Sequence, residues 1–557
     1  MSQGEQATPG GGQFDLVVPR TPARRRLSSD DPTTQDLPVA LVQVDTGLAH
    51  LDRPFEYSVP DSAAAIALPG VRVKVRFAGR DRDGFVLERS AAAEHEGTLA
   101  PLRRVVSAEP VLDPEVLAAA RVVASRYAGT LGDVLRLAVP PRHATAEKAL
   151  AIEPPEQPDL PDGAGTSWDR YAAGSAFLTR VAAGGAPGAS VLALPSVDPG
   201  GDWPALLADA ARAALEGGRG SVVVVPDHRD VARVDAALLA ALGPGRHTRL
   251  TADQGPQARY TAYLKVLRGH VNVVVGTRGA AFAPVHDLGL VAWWDDGDDL
   301  HEEPRAPYPH VREVLLARAS RTAAAVVSAG FARTAAVADL VGRGVLTPVE
   351  APRAAVRAAV PSVQVAGEGR DAEQDPAAGA AHLPTLAWRT AKEGLTRGPV
   401  LVQVPRRGYL PSLSCQDCRR QARCRACAGP LGLTGPSTPP ACRWCGRVET
   451  SFACPACEGT RLRSSVVGAR RTAEELGRAF PGVPVERSGA GTVLDRVGGG
   501  PRLVVSTPGA EPVADGGYAV ALLLDAWALL DRPTLPAAEE SLRRWLGAAA
   551  LVVPGSE

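Results

Sequence analysis

Two apolar runs near the middle of the chain decide the fold: residues 271–277, "VNVVVGT", and residues 288–296, "LGLVAWWDD". Each is continuously apolar over the length of a strand, which is typical of a strand buried on both faces of a sheet. Because such runs recur with helical stretches between them, they predict a parallel α/β architecture long enough for two lobes. The other runs are "SVLALP" (190–195), "GSVVVVPD" (220–227), "AAAVVSAG" (323–330), "GPVLVQVP" (398–405), "RLVVST" (502–507) and "YAVALLLDA" (518–526).

The patterns on either side of these runs predict several domains, as expected for a chain of 557 residues. Short alternating segments such as "GVRVKVRF" (70–77) indicate β structure, and helical spacing takes over from residue 112. We predict a disordered tail over 1–36, a β-rich domain over 37–105, a helical module over 106–150, a Pro/Gly-rich linker over 151–168, a first lobe over 169–352 and a second lobe over 353–557.

The overall charge excludes a strong general attraction to nucleic acid or membrane. Lys plus Arg and Asp plus Glu are balanced at 61 each, so any binding face must be local. We find no apolar run of the roughly 18 to 20 residues that span a bilayer. A cytoplasmic protein is therefore the expectation.

All eight cysteines fall in one segment, in four C-x-x-C pairs. Secreted proteins spread their cysteines along the chain as disulfides, so this clustering favours metal. A C-x-x-C turn places two thiolates where both reach one tetrahedral zinc at about 2.3 Å, and two turns complete a closed site. We therefore predict two Zn²⁺ ions per chain, structural because a closed site leaves no position for water or substrate. The pairs are Cys415/Cys418, Cys424/Cys427, Cys442/Cys445 and Cys454/Cys457.

Spacing alone leaves three ways to combine the four turns into two sites. The 14-residue gap between Cys427 and Cys442 is close to that of a zinc-ribbon loop, which favours an inner site nested in an outer one. The zinc-binding insertion would span 412–463 and be ordered by about 10–16 kcal/mol of metal binding. Its many arginines suit phosphate or protein contacts, or merely offset the charge of the zinc–thiolate centres.

The run "VPRRGYLPSLSCQDC" (404–418), with the three later cysteine pairs and "FPGVPVERSG" (480–489), resembles the zinc-binding region of the PriA family of replication restart proteins. "LPVALVQVD" (37–45) with "FEY" (55–57) is similar to that family's 3′-end DNA-binding domain. Residues 106–145 look like its winged helix, and 271–296 resemble part of its first helicase lobe. The resemblance implies a multidomain α/β fold: a small β-rich N-terminal DNA-binding domain, a winged helix, and two RecA-like helicase lobes with a double zinc-binding insertion.

The resemblance also implies functional residues. Phe55, Glu56 and Tyr57 match the family's aromatic-Asp-Tyr pocket for the terminal base of a DNA 3′ end, with Gly79 and Arg103 nearby. Glu replaces the usual Asp at position 56, which changes the reach of the carboxylate. Without the resemblance, Phe55 and Tyr57 would be interpreted as core aromatics. In the family the outer cysteines (Cys415, Cys418, Cys454, Cys457) share one zinc and the inner ones (Cys424, Cys427, Cys442, Cys445) the other.

Three parts of the family's ATPase are missing. A phosphate loop needs glycines followed by Lys and Ser or Thr, but "LALPSVDPGGDWPALL" (192–207) contains no lysine, a loss of several kcal/mol in catalysis. The acidic motif is reduced to Asp295, Asp296, Gly297 and Asp298, of which Asp295 could still hold Mg²⁺. "VVSTPGAEP" (504–512) and "RRWLGAAALVV" (543–553) stand where the family has two further motifs, the second an arginine motif that reaches the γ-phosphate. We therefore expect a degenerate helicase frame without ATP and Mg²⁺ as working cofactors.

These features predict a replication restart protein that binds stalled or branched forks with a 3′ end and nucleates primosome assembly without ATP-driven unwinding. Expected partners are fork DNA, primosome proteins and single-stranded DNA-binding protein, at a cytoplasmic, nucleoid-associated location. Two alternatives stay open: an active ATP-dependent 3′–5′ DNA helicase with divergent motifs, and a zinc scaffold that bridges proteins without DNA. The chain stops at "VVPGSE" (552–557), where the second lobe should finish, so we expect a truncated chain or a family branch that lost its end.

Overall fold

The structure is a computed structural model that divides into two compact units, residues 1–114 and 115–557, each described by itself. The described residues are 32–161, 166–367, 383–405, 413–418, 420–433, 438–464, 469–489, 491–525, 527–530, 532 and 534–555. The predicted disordered tail lies outside them as far as residue 31, and so does the 406–412 part of the segment that precedes the first cysteine.

The first unit is built on a five-stranded antiparallel sheet, which confirms the predicted β-rich domain. Its strands are β1 (Val39–Val44), β2 (Pro54–Ser58), β3 (Arg72–Phe77), β4 (Arg80–Ser90) and β5 (Arg104–Val105), in the order β2-β1-β4-β3-β5. The alternation of β3 places Val73 and Val75 in the core. The hairpin between β3 and β4 turns through Ala78 and Gly79, both with positive φ (46° and 77°), as a tight two-residue turn requires.

Three helices follow: α1 (Pro114–Arg126), α2 (Leu131–Ala138) and α3 (Ala144–Ala149). Thr130 caps α2 by accepting from the Asp133 N–H at 3.0 Å. The fully buried Arg318 donates to Glu115 Oε2 at 2.9 and 2.7 Å, so α1 is tied to the first lobe. Residues 106–150, all described, contain helices and no strand, so the helical part of the prediction is confirmed. The winged-helix assignment stays a prediction.

The first lobe is a seven-stranded, all-parallel sheet in the order β12-β6-β11-β10-β7-β9-β8. Its strands are β6 (Gly188–Leu192), β7 (Gly220–Val224), β8 (His247–Leu250), β9 (Val273–Gly276), β10 (Leu288–Trp294), β11 (Ala325–Gly330) and β12 (Thr347–Val349). Its helices are α4 (Gly174–Ala182), α5 (Trp203–Glu216), α6 (His228–Leu242), α7 (Gly255–Leu267), α8 (Val311–Thr322), α9 (Ala335–Gly342) and α10 (Arg353–Ala359). Every residue of β10 is buried, as the continuous apolar run predicts.

The second lobe is a four-stranded parallel sheet in the order β18-β20-β13-β22, so both lobes have parallel sheets of the RecA-like type. Its strands, with those of the zinc-binding insertion, are β13 (Val400–Gln403), β14 (Leu413–Cys415), β15 (Leu431–Gly432), β16 (Ala441–Cys442), β17 (Leu462–Ser464), β18 (Val485–Ser488), β19 (Arg496–Val497), β20 (Leu503–Ser506), β21 (Val513–Ala514) and β22 (Val520–Leu523). Its helices are α11 (Thr385–Gly394), α12 (Ala469–Ala479), α13 (Trp527–Leu530) and α14 (Ala537–Ala549). Among the described residues, no helix has the length and apolar character needed to cross a bilayer.

Candidate functional sites

The two aromatic residues of the predicted 3′-end pocket lie on the same side of edge strand β2, because successive side chains of a strand alternate. Phe55 is half-buried and meets the edge of Phe77 with 4.8 Å between ring centroids, and the Arg53 guanidinium lies 5.0 Å from the centre of its ring. Tyr57 is buried and donates to the Arg76 carbonyl at 3.3 Å, and burial raises the pKa of its hydroxyl to about 12. Phe55 is thus accessible, while Tyr57 is a core residue that supports it.

Glu56 faces the other side of β2 and binds the chain's own backbone. Its carboxylate oxygens accept from the N–H groups of Glu94 and His95 at 2.8 and 2.9 Å. These two hydrogen bonds hold the pKa of Glu56 below its usual value, because they favour the charged form. Because Glu56 points away from the side of β2 that carries Phe55 and Tyr57, the structure does not bring Glu56 together with the two aromatics.

Gly79 and Arg103 are both exposed and lie along β3, on the same sheet as the aromatics. Gly79 forms the turn that follows Phe77, and the Arg103 N–H donates to the Lys74 carbonyl at 2.9 Å. Sequence reasoning missed Arg53 and Phe77 as neighbours of Phe55. Only the proximity of Arg53 along the chain could have indicated one of them.

The eight cysteines form two tetrads of the nested kind, each with its ligand sulfurs within 4.8 Å of one another. In the outer tetrad, Cys415 Sγ lies 3.6 Å from Cys457 Sγ and Cys418 Sγ lies 3.5 Å from Cys454 Sγ. In the inner tetrad, the corresponding distances are 3.9 Å for Cys424 to Cys445 and 3.4 Å for Cys427 to Cys442. Sulfurs at about 2.3 Å from a tetrahedral zinc stand about 3.8 Å apart, so both tetrads fit one Zn²⁺ each.

Three of the four cysteine turns share one backbone geometry in the part of the chain that the structure describes. The residue after the second cysteine is left-handed in three of the turns, at Ala428, Gly446 and Glu458, with φ of 58°, 74° and 62°. Its N–H returns to the carbonyl of the first cysteine at 2.9 to 3.0 Å. In the Cys454 turn the Ala456 N–H lowers the pKa of the thiol to about 7, which favours the thiolate that a metal needs. When bound, zinc would crosslink four thiolates per site and order the insertion.

At the position expected for the phosphate loop, the side chains of Asp202 and Trp203 contact other groups of the protein. The helix after β6 begins with Trp203, whose ring stacks on Trp294 at 4.1 Å. Asp202 caps this helix by accepting from the Trp203 N–H at 2.8 Å and pairs with Arg233 at 2.5 Å. A helix N-terminus attracts phosphate through free N–H groups and positive potential, and the Asp202 carboxylate opposes both.

Asp296 of the acidic motif is fully engaged. It is buried and accepts from Arg312 at 2.8 and 2.6 Å, from the Thr334 hydroxyl at 2.6 Å and from the Trp293 indole N–H at 2.9 Å. Burial alone would raise the pKa of Asp296, but the Arg312 guanidinium, His310 and the Thr334 hydroxyl together outweigh burial and hold that pKa below its usual value. With four hydrogen bonds inside the protein, Asp296 has the surroundings of a structural carboxylate.

The other two carboxylates of the motif pair with arginines from the second lobe. Asp295, whose φ is 57°, bonds Arg543, and Asp298 lies 3.4 Å from both Arg543 and Arg544. Arg543 itself is only 4% exposed. Since guanidinium groups occupy the positions that would face a metal, Mg²⁺ with ATP does not fit these residues. Sequence reasoning missed this pairing, and no local signal connects positions so far apart in the chain.

Comparisons with known proteins show which family the chain resembles. The family model of the PriA 3′DNA-binding domain (3′BD) matches residues 41–140. A Mycobacterium bovis protein named "Probable replication restart protein PriA" is 50% identical over 508 residues, which are 91% of this chain and 77% of the relative. The protein of that name from Mycobacterium leprae is 51% identical over 508 residues, 90% and 77% of the two chains. The "Replication restart protein PriA" of Treponema pallidum is 26% identical over 445 residues, 78% and 65%.

Proposed function

Because this chain belongs to the PriA family of replication restart proteins, we propose that it binds stalled or branched replication forks with a 3′ end and nucleates primosome assembly there, without ATP-driven unwinding. The observation that carries the proposal is the match of the 3′ DNA-binding model to residues 41–140, which include most of the sheet that carries the half-buried Phe55. The proposed partners are fork DNA, primosome proteins and single-stranded DNA-binding protein, in the cytoplasm at the nucleoid.

In the proposed complex the terminal base stacks on Phe55. An aromatic ring offers a sequence-tolerant platform worth about 1–3 kcal/mol per base, and the neighbouring Arg53 adds a cation for the backbone. Gly79 leaves its turn without a side chain, so the nucleotide can approach the backbone closely. Arg103 is exposed and suits a phosphate contact. Tyr57 and Glu56 act indirectly, the first by supporting the platform from the core and the second by positioning the loop at 94–95.

Binding without an ATP cycle is supported by the state of the acidic motif. Asp296 is saturated by Arg312, Thr334 and Trp293, and Asp295 bonds Arg543. An ATPase needs these groups free for metal and water, and it also needs a cation at the phosphates. The absence of a phosphate-loop lysine and the hydrogen bonds of the carboxylates therefore both favour binding without ATP hydrolysis.

The zinc-binding insertion is the proposed contact for primosome proteins. Two Zn²⁺ ions would hold it as a compact knob, with the cysteine tetrads as ligands. At the inner site Trp444 is 57% exposed between two ligands, and Arg425 and Arg447 are exposed in the same segment. An exposed tryptophan among arginines is the composition of a binding hot spot.

The test is fork binding and DNA-stimulated ATP hydrolysis by one zinc-loaded preparation. Forks with and without a 3′ end at the junction should differ in affinity, and binding should weaken with salt because phosphate contacts dominate. Phe55→Ala should weaken binding to the fork with a 3′ end about tenfold or more, the equivalent of one lost stacking contact. It should leave the fork without that end unchanged.

Phe85→Ala is the matched control. Phe85 is also half-buried under an arginine, with Arg72 4.9 Å from its ring centre, but it lies elsewhere on the sheet. Equal losses for the two variants, or no preference for a 3′ end, would refute the assigned pocket. DNA-stimulated ATP turnover would instead support the alternative of an active helicase.

A further inference from the structure

Helix α14 packs in the core of the second lobe yet presents a charged face to the first lobe. Its buried Ala548 lies in one apolar cluster with Leu401 and Val504 of the second sheet. From the opposite face, Arg543 bonds Asp295 at the end of β10 in the first lobe. Helix α14 is therefore packed into the second lobe by apolar contacts and joined to the first lobe by ion pairs.

Three more contacts connect the lobes beside this pair. Arg544 lies 3.4 Å from Asp298 and 3.8 Å from Asp299. Glu539 accepts from the N–H of Ala335 at 2.6 Å and so caps the start of α9 in the first lobe. A carboxylate at this position satisfies a free helix N–H and complements the helix dipole.

On the far side of the same interface, Arg229 of α6 donates to the Gly509 carbonyl of the second lobe at 2.5 Å. These contacts surround a cleft of about 1430 Å³ that is lined by residues of both lobes, including Trp203 and Asp230. The lobes are thus connected at several points around an open cleft.

We propose that α14 is a built-in clamp that holds the two lobes in one fixed arrangement, with Arg543 and Arg544 in the place where a nucleotide-driven motor would need free carboxylates. A ligand shifts a conformational equilibrium only through contacts that differ between the two states. Here the carboxylates that would make such contacts already bind guanidinium groups in the described arrangement. The disagreement between these residues and a Mg²⁺–ATP site is therefore what converts two motor lobes into one rigid body.

The clamp gives the second lobe a fixed place relative to the helical module. Glu115 of α1 is tied to the first lobe by the fully buried Arg318, and the zinc-binding insertion is carried by the second lobe. Holding the lobes together therefore holds the second lobe at a fixed distance from α1. A rigid spacing of this kind suits a platform that binds a branched ligand at more than one point. This part of the inference rests on the proposed function.

The clamp is tested by single-molecule fluorescence energy transfer between dyes on non-canonical amino acids at Arg343 and Arg470. Both positions are exposed, on the first and second lobe respectively. Non-canonical labels leave the eight cysteines to zinc. The wild-type protein should show one interlobe distance that does not change with Mg²⁺–ATP. The joint replacement Arg543→Met and Arg544→Met should give a second population of molecules with a longer interlobe distance.

Three further variants separate the clamp from a general loss of structure. Asp298→Asn should also give a population with a longer interlobe distance. Glu539→Gln should give a smaller such population, because it weakens only one contact at the edge of the interface. Arg496→Met is the control, since its pair with Asp515 is exposed and lies within the second lobe. Zinc content and circular dichroism of each variant report folding. An unchanged distance in well-folded clamp variants, or a wild-type distance that moves with Mg²⁺–ATP, would overturn the clamp.

Fork affinity and ATP turnover of the same samples keep this inference separate from the proposed function. A mobile wild-type interface together with tight fork binding and no hydrolysis would remove the clamp and leave the fork-binding proposal intact. A fixed interface without preference for a 3′ end would remove the fork-binding proposal and leave the clamp intact.

Discussion

Replacing Asp296 by Asn tests whether the acidic motif has become structural. The carboxylate is buried and receives two hydrogen bonds from Arg312, one from Thr334 and one from Trp293. Asn keeps one acceptor oxygen but loses the charge that Arg312 requires, and it turns an N–H₂ group toward donors. Removing one partner of a buried pair costs about 3–5 kcal/mol of stability, and because Asn retains one acceptor oxygen we expect a loss of about 3 kcal/mol.

The assay is hydrogen exchange of the β10 amides, since Asp296 follows that strand directly. A loss of about 3 kcal/mol corresponds to more than about a hundredfold faster exchange through local opening. Asp299→Asn is the control, because that carboxylate is 67% exposed and lies 3.8 Å from Arg544. Its expected effect is within about 0.5 kcal/mol.

A stable Asp296→Asn variant that exchanges like the control would refute the structural interpretation. If the same variant also abolished a DNA-stimulated ATP turnover present in the wild-type protein, Asp296 would be identified as a group that polarises the attacking water. The two roles therefore predict opposite pairs of results for stability and turnover.

Two other predictions concern the metal sites and a buried carboxyl group. Cys424→Ser should lower the zinc content measured by elemental analysis from two ions per chain to one, because the inner tetrad loses a ligand while the outer one keeps all four; loss of both ions would contradict independent sites. Burial and the nearby Asp227 raise the pKa of Asp230 to about 7. Since this folded-state pKa lies above the unfolded value of about 3.9, Asp230 costs stability as pH rises from about 4 to 7. Asp230→Asn should therefore match the wild-type melting temperature near pH 4 and exceed it at pH 8, and an equal difference at both pH values would contradict the assignment.

The sheets of the two lobes were predictable because their strands are buried on both faces. The run at 288–296 became β10, buried along its whole length, and the run at 271–277 contains β9. Continuous apolar character is a local property, so it can be read without knowledge of the partner strands. The strands of the zinc-binding insertion, such as β15 with only two residues, have no such signal. These short strands are held in place by the cysteine turns and by the metal that the turns fit.

The pairing of the acidic motif could not be predicted for a different reason. Asp295 and Arg543 are separated by 248 positions, and no periodicity links them. In the sequence, Asp295 is a carboxylate at the end of a strand, which suits magnesium as well as it suits an arginine. The choice between the two is made by where α14 packs, and that depends on the apolar face of the helix rather than on its arginines.

The partner of Glu56 in the predicted 3′-end pocket could not be predicted from the sequence either. Glu stands at position 56 where the family usually has Asp. A side chain longer by one methylene reaches the N–H groups of Glu94 and His95, and these bonds satisfy the carboxylate without DNA. At the acidic motif, too, carboxylates that a family pattern assigns to a ligand are satisfied by the protein itself. The chain keeps the architecture of the family because apolar strands and cysteine turns specify it. At both sites the carboxylates bond to groups of the protein itself, which supports the proposed function of binding without nucleotide turnover.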